Sequence, residues 1–238
     1  GQRSAGYAFA KARYLRRHKK FSEAAEVMLK APTDRAAVID PDAWWQERRV
    51  LSRELVDHGD MKTAYKIAAA HSAESPVEAA DAEFHAGWIA LRFLGAPRLA
   101  QTHFERMYNA VKYPVSLARG AYWIARSREA LDRTKVNIAA ARTWYRLAAR
   151  HPTTYYGQLS IARLRPGGGF ELAHEPKPSK KDIEAFDAHE LVRAVRMLTE
   201  VEAVYWLRPF ILALDNVNDT PGWRQLTLEL ARASGRPD

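Results

Sequence analysis

The sequence predicts an all-α protein: a series of stacked helical hairpins, an α-solenoid, followed by a small helical domain. Three observations lead there. Alternating runs rich in Val, Ile and Thr, the mark of half-buried strands, do not occur in the 238 residues. Proline and glycine instead cut the chain into helix-length segments, at Pro41, Gly59, Pro76, Gly95, Pro97 and Pro114. Finally, Trp88-Ile89-Ala90 recurs 35 residues later as Trp123-Ile124-Ala125, and another 35 residues lead to Gln158-Leu159-Ser160.

A period in the mid-thirties with paired helices is a tetratricopeptide-like signature. One such unit cannot bury its own apolar face, so neighbours stack and the array curves into a superhelix. Gly87, Ala90, Ala121, Ala125, Ala148 and Ala149 let helices approach closely, while Trp and Tyr fill the gaps between units. These aromatics read as core rather than as a ligand platform. The repeat is degenerate, with a longer loop expected near Leu131–Ile138. The chain is organised around Ala139–Leu164, where a helix rich in Ala, Trp and Tyr meets a His151-Pro152 break. A second helix then opens on Tyr155-Tyr156-Gly157.

The elements follow in order. Residues 1–20 predict a helix carrying Arg13, Arg16, Arg17 and Lys20 on one solvated face. Phe21, Ala24, Ala25, Met28 and Leu29 recur at helical spacing, and Pro32 ends that segment. Asp40-Pro41 is a start signal, an N-cap acid before proline at the first helical position. That helix runs through Trp44-Trp45 and Arg48-Arg49 to His58, with Gly59 as its C-terminal stop. Met61–His71 is its short partner. Pro76 opens a helix that stops at Gly95, and Pro97 opens the answering one to Asn109. Tyr113-Pro114 punctuates again, because a residue before proline is pushed out of the helical region. Val115–Leu131 and Asn137–Arg150 form the next pair.

After Leu164 the composition changes. Arg165-Pro166-Gly167-Gly168-Gly169 predicts a break, and Phe170–Pro178 an extended linker. Three glycines without a following Lys-Ser/Thr do not make a phosphate loop. The expected division is therefore 1–165 for the hairpin repeats, 166–178 for the linker and 179–238 for the small domain. In that domain Asp187 and Glu190 resemble a capping box for Leu191–Thr199, Pro209 is expected to interrupt Val201–Val217, and Thr220-Pro221 starts a helix ending at Gly235. The chain opens at Gly1-Gln2 and ends at Arg236-Pro237-Asp238 just beyond a finished helix. It thus reads as part of a longer precursor, with a leader removed and further sequence to follow.

Composition bounds the function. A hydrophobic share of 47% argues against disorder, and the absence of cysteine excludes disulfides, thiolate metal sites and a thiol nucleophile. No apolar run approaches the roughly 18 residues needed to span a bilayer. A net charge of +9 suits an anionic partner, whether nucleic acid, acidic lipid or an acidic polymer. Nucleic acid ranks last, because no recognised binding module accompanies the charge. No GxSxG elbow, P-loop or CxxC occurs, and no cofactor or metal motif is found. His71, His85 and His103 fall on different helices, and Glu83 and His85 lie two apart, off one helical face. Neither pattern is that of a zinc helix.

The strings WWQERRVLSRELVDHGD, AYKIAAAHSAES, AEFHAGWIALRFL, ARGAYWIARSREAL and HPTTYYGQLSIARL, together spanning Trp44–Leu164, resemble the helical region of periplasmic soluble lytic transglycosylases. Asp187–Gly235 looks like that family's linker domain. The resemblance implies a superhelical arm and linker domain of an enzyme that cleaves peptidoglycan glycan strands in the periplasm. It does not bring catalysis with it. The family's lysozyme-like module, with a Glu-Ser pair and a Gly-Leu-Met-Gln motif, lies beyond the linker domain. Here the sole Glu-Ser pair is Glu74-Ser75, inside the repeats and followed by Pro76, and no methionine precedes glutamine. A catalytic acid also needs a pocket that raises its pKa, and the polar loop around Glu74 offers no sign of one.

The resemblance therefore implies a non-catalytic arm that holds glycan or acidic stem peptides by Arg and Lys donors, with an intramolecular catalytic domain and cell-wall proteins as further partners. Arg48, Arg49, Tyr156 and Gln158 are the candidate ligand-binding residues. The alternative is a free-standing tetratricopeptide-like adaptor that binds a peptide or protein in its groove.

Overall fold

The computed structural model describes residues 4–132, 134–167 and 176–235, and every regular element among them is a helix. The chain divides into two compact units, residues 1–171 and 172–238. No helix among the described residues is long and apolar enough to cross a membrane.

In the first unit local chemistry sets most helix ends. Ser4, Asp40, Asp60, Ser75, Thr134 and Thr154 each accept a first-turn amide with the side chain, the strongest local device for starting a helix. They open α1 (Ala5–Arg17), α3 (Pro41–Asp57), α4 (Met61–Ala69), α5 (Pro76–Arg92), α8 (Lys135–Ala149) and α9 (Tyr155–Leu164). Proline at the first position begins α6 (Pro97–Ala110) and α7 (Pro114–Leu131), and α2 (Phe21–Lys30) follows α1 directly. Gly59 and Gly95 lie at φ 85° and 57°, the left-handed region where the absence of a Cβ matters, and they stop α3 and α5.

Each helix packs on its neighbours: α1 on α2, α3 on α4, and α5 through α8 each on the next. Alternate helices also touch, as α1 with α3, α3 with α5 and α7 with α9. Polar side-chain contacts reflect this order. Adjacent helices are linked at separations such as 16 for Tyr145–Glu129 and 20 for His103–Glu83. Alternate helices are linked at 32 for Arg49–Asp81, 34 for Arg163–Glu129 and 36 for Trp45–Asp81. The second set matches the period of the sequence repeat.

The core runs along the stack. Met28, Trp45, Leu51, Ile67 and Ile89 form its first section. Phe104, Ile124 and Ala90 continue it, and Ala121, Ala125, Tyr145 and Ala148 complete it. The repeated Ile89 and Ile124 are 1% and 0% exposed, so the recurring tripeptide marks equivalent core positions. Full burial of such a side chain is worth about 1.5–3 kcal/mol. Gly87 has a packing role: a Cβ there would lie 2.8 Å from the ring of the fully buried Phe104. That ring stacks on Trp123 at 5.7 Å.

Several expectations need correction. Arg16 is not on a solvated face; its guanidinium forms a bidentate pair with Glu47, which joins α1 to α3. No long loop follows Leu131, because Thr134 caps α8 and the helix begins at Lys135, two residues before the expected start at Asn137. Leu29 is exposed at 44%, unlike Ala24, Ala25 and Met28 of the same apolar set.

The second unit contains α10 (Lys180–Ala188), α11 (Glu190–Glu200), α12 (Val204–Asp215) and α13 (Pro221–Ala233) around Phe186, Val192, Leu214 and Trp223. Its capping box is Ser179 with Asp182, not Asp187 with Glu190. His189 caps α11 instead, and Asp187 pairs with Arg196 at 2.6 Å. Pro209 does not end α12: it lies in the second turn, where it leaves the Tyr205 carbonyl without its helical donor, yet the helix continues to Asp215. The break comes earlier, where Glu202 takes φ 53°. Most of the expected 166–178 linker lies outside the described residues.

The packing predicts that Gly87→Ala destabilises the first unit by roughly 1–3 kcal/mol through overpacking against Phe104. Gly157→Ala should cost more, because its Cβ would meet the His151 carbonyl oxygen at 1.9 Å, and backbone cannot rotate aside. Denaturant titration of both variants checks the order.

Candidate functional site

The middle of the first unit concentrates the polar chemistry, and α5 carries it. Asp81 and Glu83, two positions apart, point to different neighbours. Asp81 accepts from Trp45 Nε1 at 3.1 Å and from Arg49 Nη1 at 3.2 Å, both on α3, and lies 3.4 Å from His85 Nδ1 one turn along its own helix. Glu83 lies 2.5 Å from His103 Nδ1 on α6 and 3.5 Å from His71 Nε2 just after α4. Arg106 Nη1 is 3.7 Å away on the same side.

Burial alone would push both carboxyls up. For Asp81 that push is outweighed by the hydrogen bond and charge of His85, with Trp45 and Arg49 adding to it, and the group is held at about 2. For Glu83 burial is likewise outweighed by hydrogen bonds and charge from His103 and His71, again giving about 2. An ionised Glu83 only accepts, so His103 Nδ1 carries the proton between them. His103 Nε2 then faces the Tyr65 hydroxyl at 2.9 Å. Burial first, and the charge of Glu83 second, raise Tyr65, which keeps its proton and can donate it in that bond. Tyr65–His103–Glu83–His71 is thus a continuous relay joining α4, α5 and α6. The His71 and His85 rings both pack edge-on against Trp45, which brings the two carboxylate clusters together.

The spacing of these histidines in sequence does not show this convergence. The helices are neighbours, and His71, Glu83 and His103 converge. They do not form a metal centre: no group of three or more such ligands among the described residues could hold an ion.

The Asp81 side opens onto a cleft of about 600 Å³ between α3, α5 and α7. Arg49, Lys112 and Arg119 supply its positive charge, and Val77, Val111 and Tyr113 its apolar surface. Of the four sequence candidates, Arg49 alone lines it. Arg48 is 1% exposed, its guanidinium 3.4 Å from the carbonyl oxygens of Ile67 and Met28, and burial lowers its pKa to about 10. Such a group braces α3 against α2 and α4 and offers a ligand nothing. Tyr156 is half-buried on α9, 5.3 Å from the Tyr122 ring, and Gln158 is exposed on the same helix. Neither lines the Arg49 cleft. Glu74 is exposed, and its backbone amide donates to Asp42.

Comparison with protein-family models, curated proteins and solved structures finds no match to this chain. The fold and site define an all-α protein with a carboxylate–histidine brace beside a cleft lined by Arg49, Lys112 and Arg119 and by apolar side chains.

The Glu83 geometry has a pH consequence. The folded state favours the ionised carboxyl, so its contribution is fully present above the ordinary value of 4.5 and is lost as pH falls toward about 2. Glu83→Gln should therefore destabilise the protein by about 1.5–3 kcal/mol at neutral pH, the range for a charged hydrogen bond. The difference from wild type should close progressively between about pH 4.5 and 2, as melting curves across that range would record.

Proposed function

We propose that this chain is the non-catalytic superhelical portion and linker domain of a lytic transglycosylase, acting in the periplasm to bind peptidoglycan and position it. The observation that carries the reading is the cleft bordered by Arg49, Lys112 and Arg119 on hairpins built from the strings that resemble the family. Trp44–Asp60 covers most of α3 and its stop, Ala82–Leu94 covers the second half of α5 and the two residues after it, and His151–Leu164 contains α9. Polar contacts at one repeat period support a tetratricopeptide-like stack. The role needs no chemistry at the bound ligand. Cationic donors at the cleft rim meet carboxylates of the stem peptides, and the net charge of +9 draws the anionic wall polymer toward the protein.

Neither buried carboxyl suits the acid–base work of the parent family. Both are held far below neutrality, whereas a catalytic acid there must be raised toward it.

Co-sedimentation of the purified chain with peptidoglycan sacculi across a salt series tests the proposal. Saturable binding that weakens steeply with salt, without release of anhydro-muropeptides by mass spectrometry, is the expected result. Absence of binding at low salt would reject it in favour of a peptide-binding adaptor, and released anhydro-sugars would reject the non-catalytic assignment.

A further inference from the structure

The cleft holds a more specific feature than its basic rim. Its five charged lining residues are not equivalent. Arg49 is engaged by Asp81, whose carboxylate also accepts from Trp45. Glu78 accepts from Gln46 at 2.9 Å. Arg119 is different: its guanidinium lies 4.5 Å over the Phe84 ring, and its buried Nε has no hydrogen-bond partner among the described residues. Stacking on an aromatic face fixes the plane of a guanidinium while leaving its edge donors available. Lys112, exposed, adds a second cation on the same wall. The first turn of α7 also contributes, since Ser116 lines the cleft and Tyr113 gives that helix no side-chain cap.

The rest of the wall is apolar and open to solvent, with Val77 at 75% and Tyr113 at 77% exposure. A small inorganic anion would use the cations and leave this surface wet. A molecule with a carboxylate at one end and small apolar side chains behind it would use both.

The geometry points to Arg119 and Lys112 as the anchor for a terminal carboxylate of a short peptide, with its small apolar side chains against Val77 and Tyr113. This deepens the wall-binding reading and rests on it for the natural source of the peptide. The recognition itself needs only the cleft. A planar guanidinium matches a carboxylate with two parallel N–H donors, and a carboxamide cannot accept both.

The test uses the full chain and acetyl-Ala-Ala-Ala, as the free acid and as its carboxamide, in calorimetric titrations. The free acid should bind at least about tenfold more tightly, a difference of about 1.4 kcal/mol. Arg119→Gln should abolish that preference while its circular-dichroism melting curve stays close to wild type. Val77→Asp should weaken the free acid further by placing a like charge beside it. Equal affinity of acid and amide for the wild-type protein would overturn the inference whether or not any variant folds. So would an Arg119→Gln protein that keeps the preference, or inorganic phosphate displacing the peptide at equal concentration. Sacculi binding that persists without an acid–amide difference would reject this site and leave the wall-binding reading standing. An acid preference without sacculi binding would do the reverse.

Discussion

Helix α5 is held from two sides by two half-buried carboxylates, and the first unit depends on that arrangement. A carboxylate removed from water is costly unless donors replace the lost hydration. Here the donors come from other helices: Trp45 and Arg49 on α3 meet Asp81, and His103 on α6 meets Glu83, with His71 after α4 close by. Satisfying two charges therefore fixes the positions of four neighbouring segments. Apolar contacts alone would let helices slide or rotate, whereas a paired buried charge penalises every register in which it is left alone. The indole of Trp45 contributes to both aims, with its body in the core and its N–H on Asp81.

The same economy of side chains shapes the packing between hairpins. Gly87 leaves room for Phe104, and Phe104 in turn stacks on Trp123 of the following helix. Phe84 packs against both Phe104 and Trp123, closing a triangle of rings, and also supports the Arg119 guanidinium. The apolar core and the cleft are thus not separate features. The Phe84 ring that packs in the core between α5 and α7 also supports an arginine of the cleft wall. Arg48 and Arg119 show how far environment decides the use of one side-chain type. Burial has made the first a brace between backbone carbonyls, while the second lies over the Phe84 ring at the cleft wall.

Chain order and residue type determined much of this. Proline and capping side chains act within one turn, so the starts of α3, α5, α7 and α13 were legible at Asp40-Pro41, Pro76, Tyr113-Pro114 and Thr220-Pro221. The recurrence of Trp-Ile-Ala was legible, and in the structure its isoleucines, Ile89 and Ile124, are both buried, because equivalent positions in a repeat meet equivalent surroundings. Where two local signals competed, the reading failed: His189 rather than Asp187 caps α11, and Pro209 is accommodated inside α12.

The site was the least legible part, for a physical reason. Hydrogen-bond partners on different helices have no fixed local spacing; they are set by how the helices pack. His71, Glu83 and His103 are 12 and 20 residues apart, which looks meaningless until α4, α5 and α6 lie side by side. The one usable signal was the repeat itself, since a period of 35 places residues about one unit apart in contact, as Trp45–Asp81 and Arg49–Asp81 are. Sequence alone therefore determined the helical class, most helix starts, the repeat and the basic charge. Tertiary packing decided which arginine is buried, which is paired and which is left facing the cleft, because those outcomes depend on neighbours that the chain brings together only on folding.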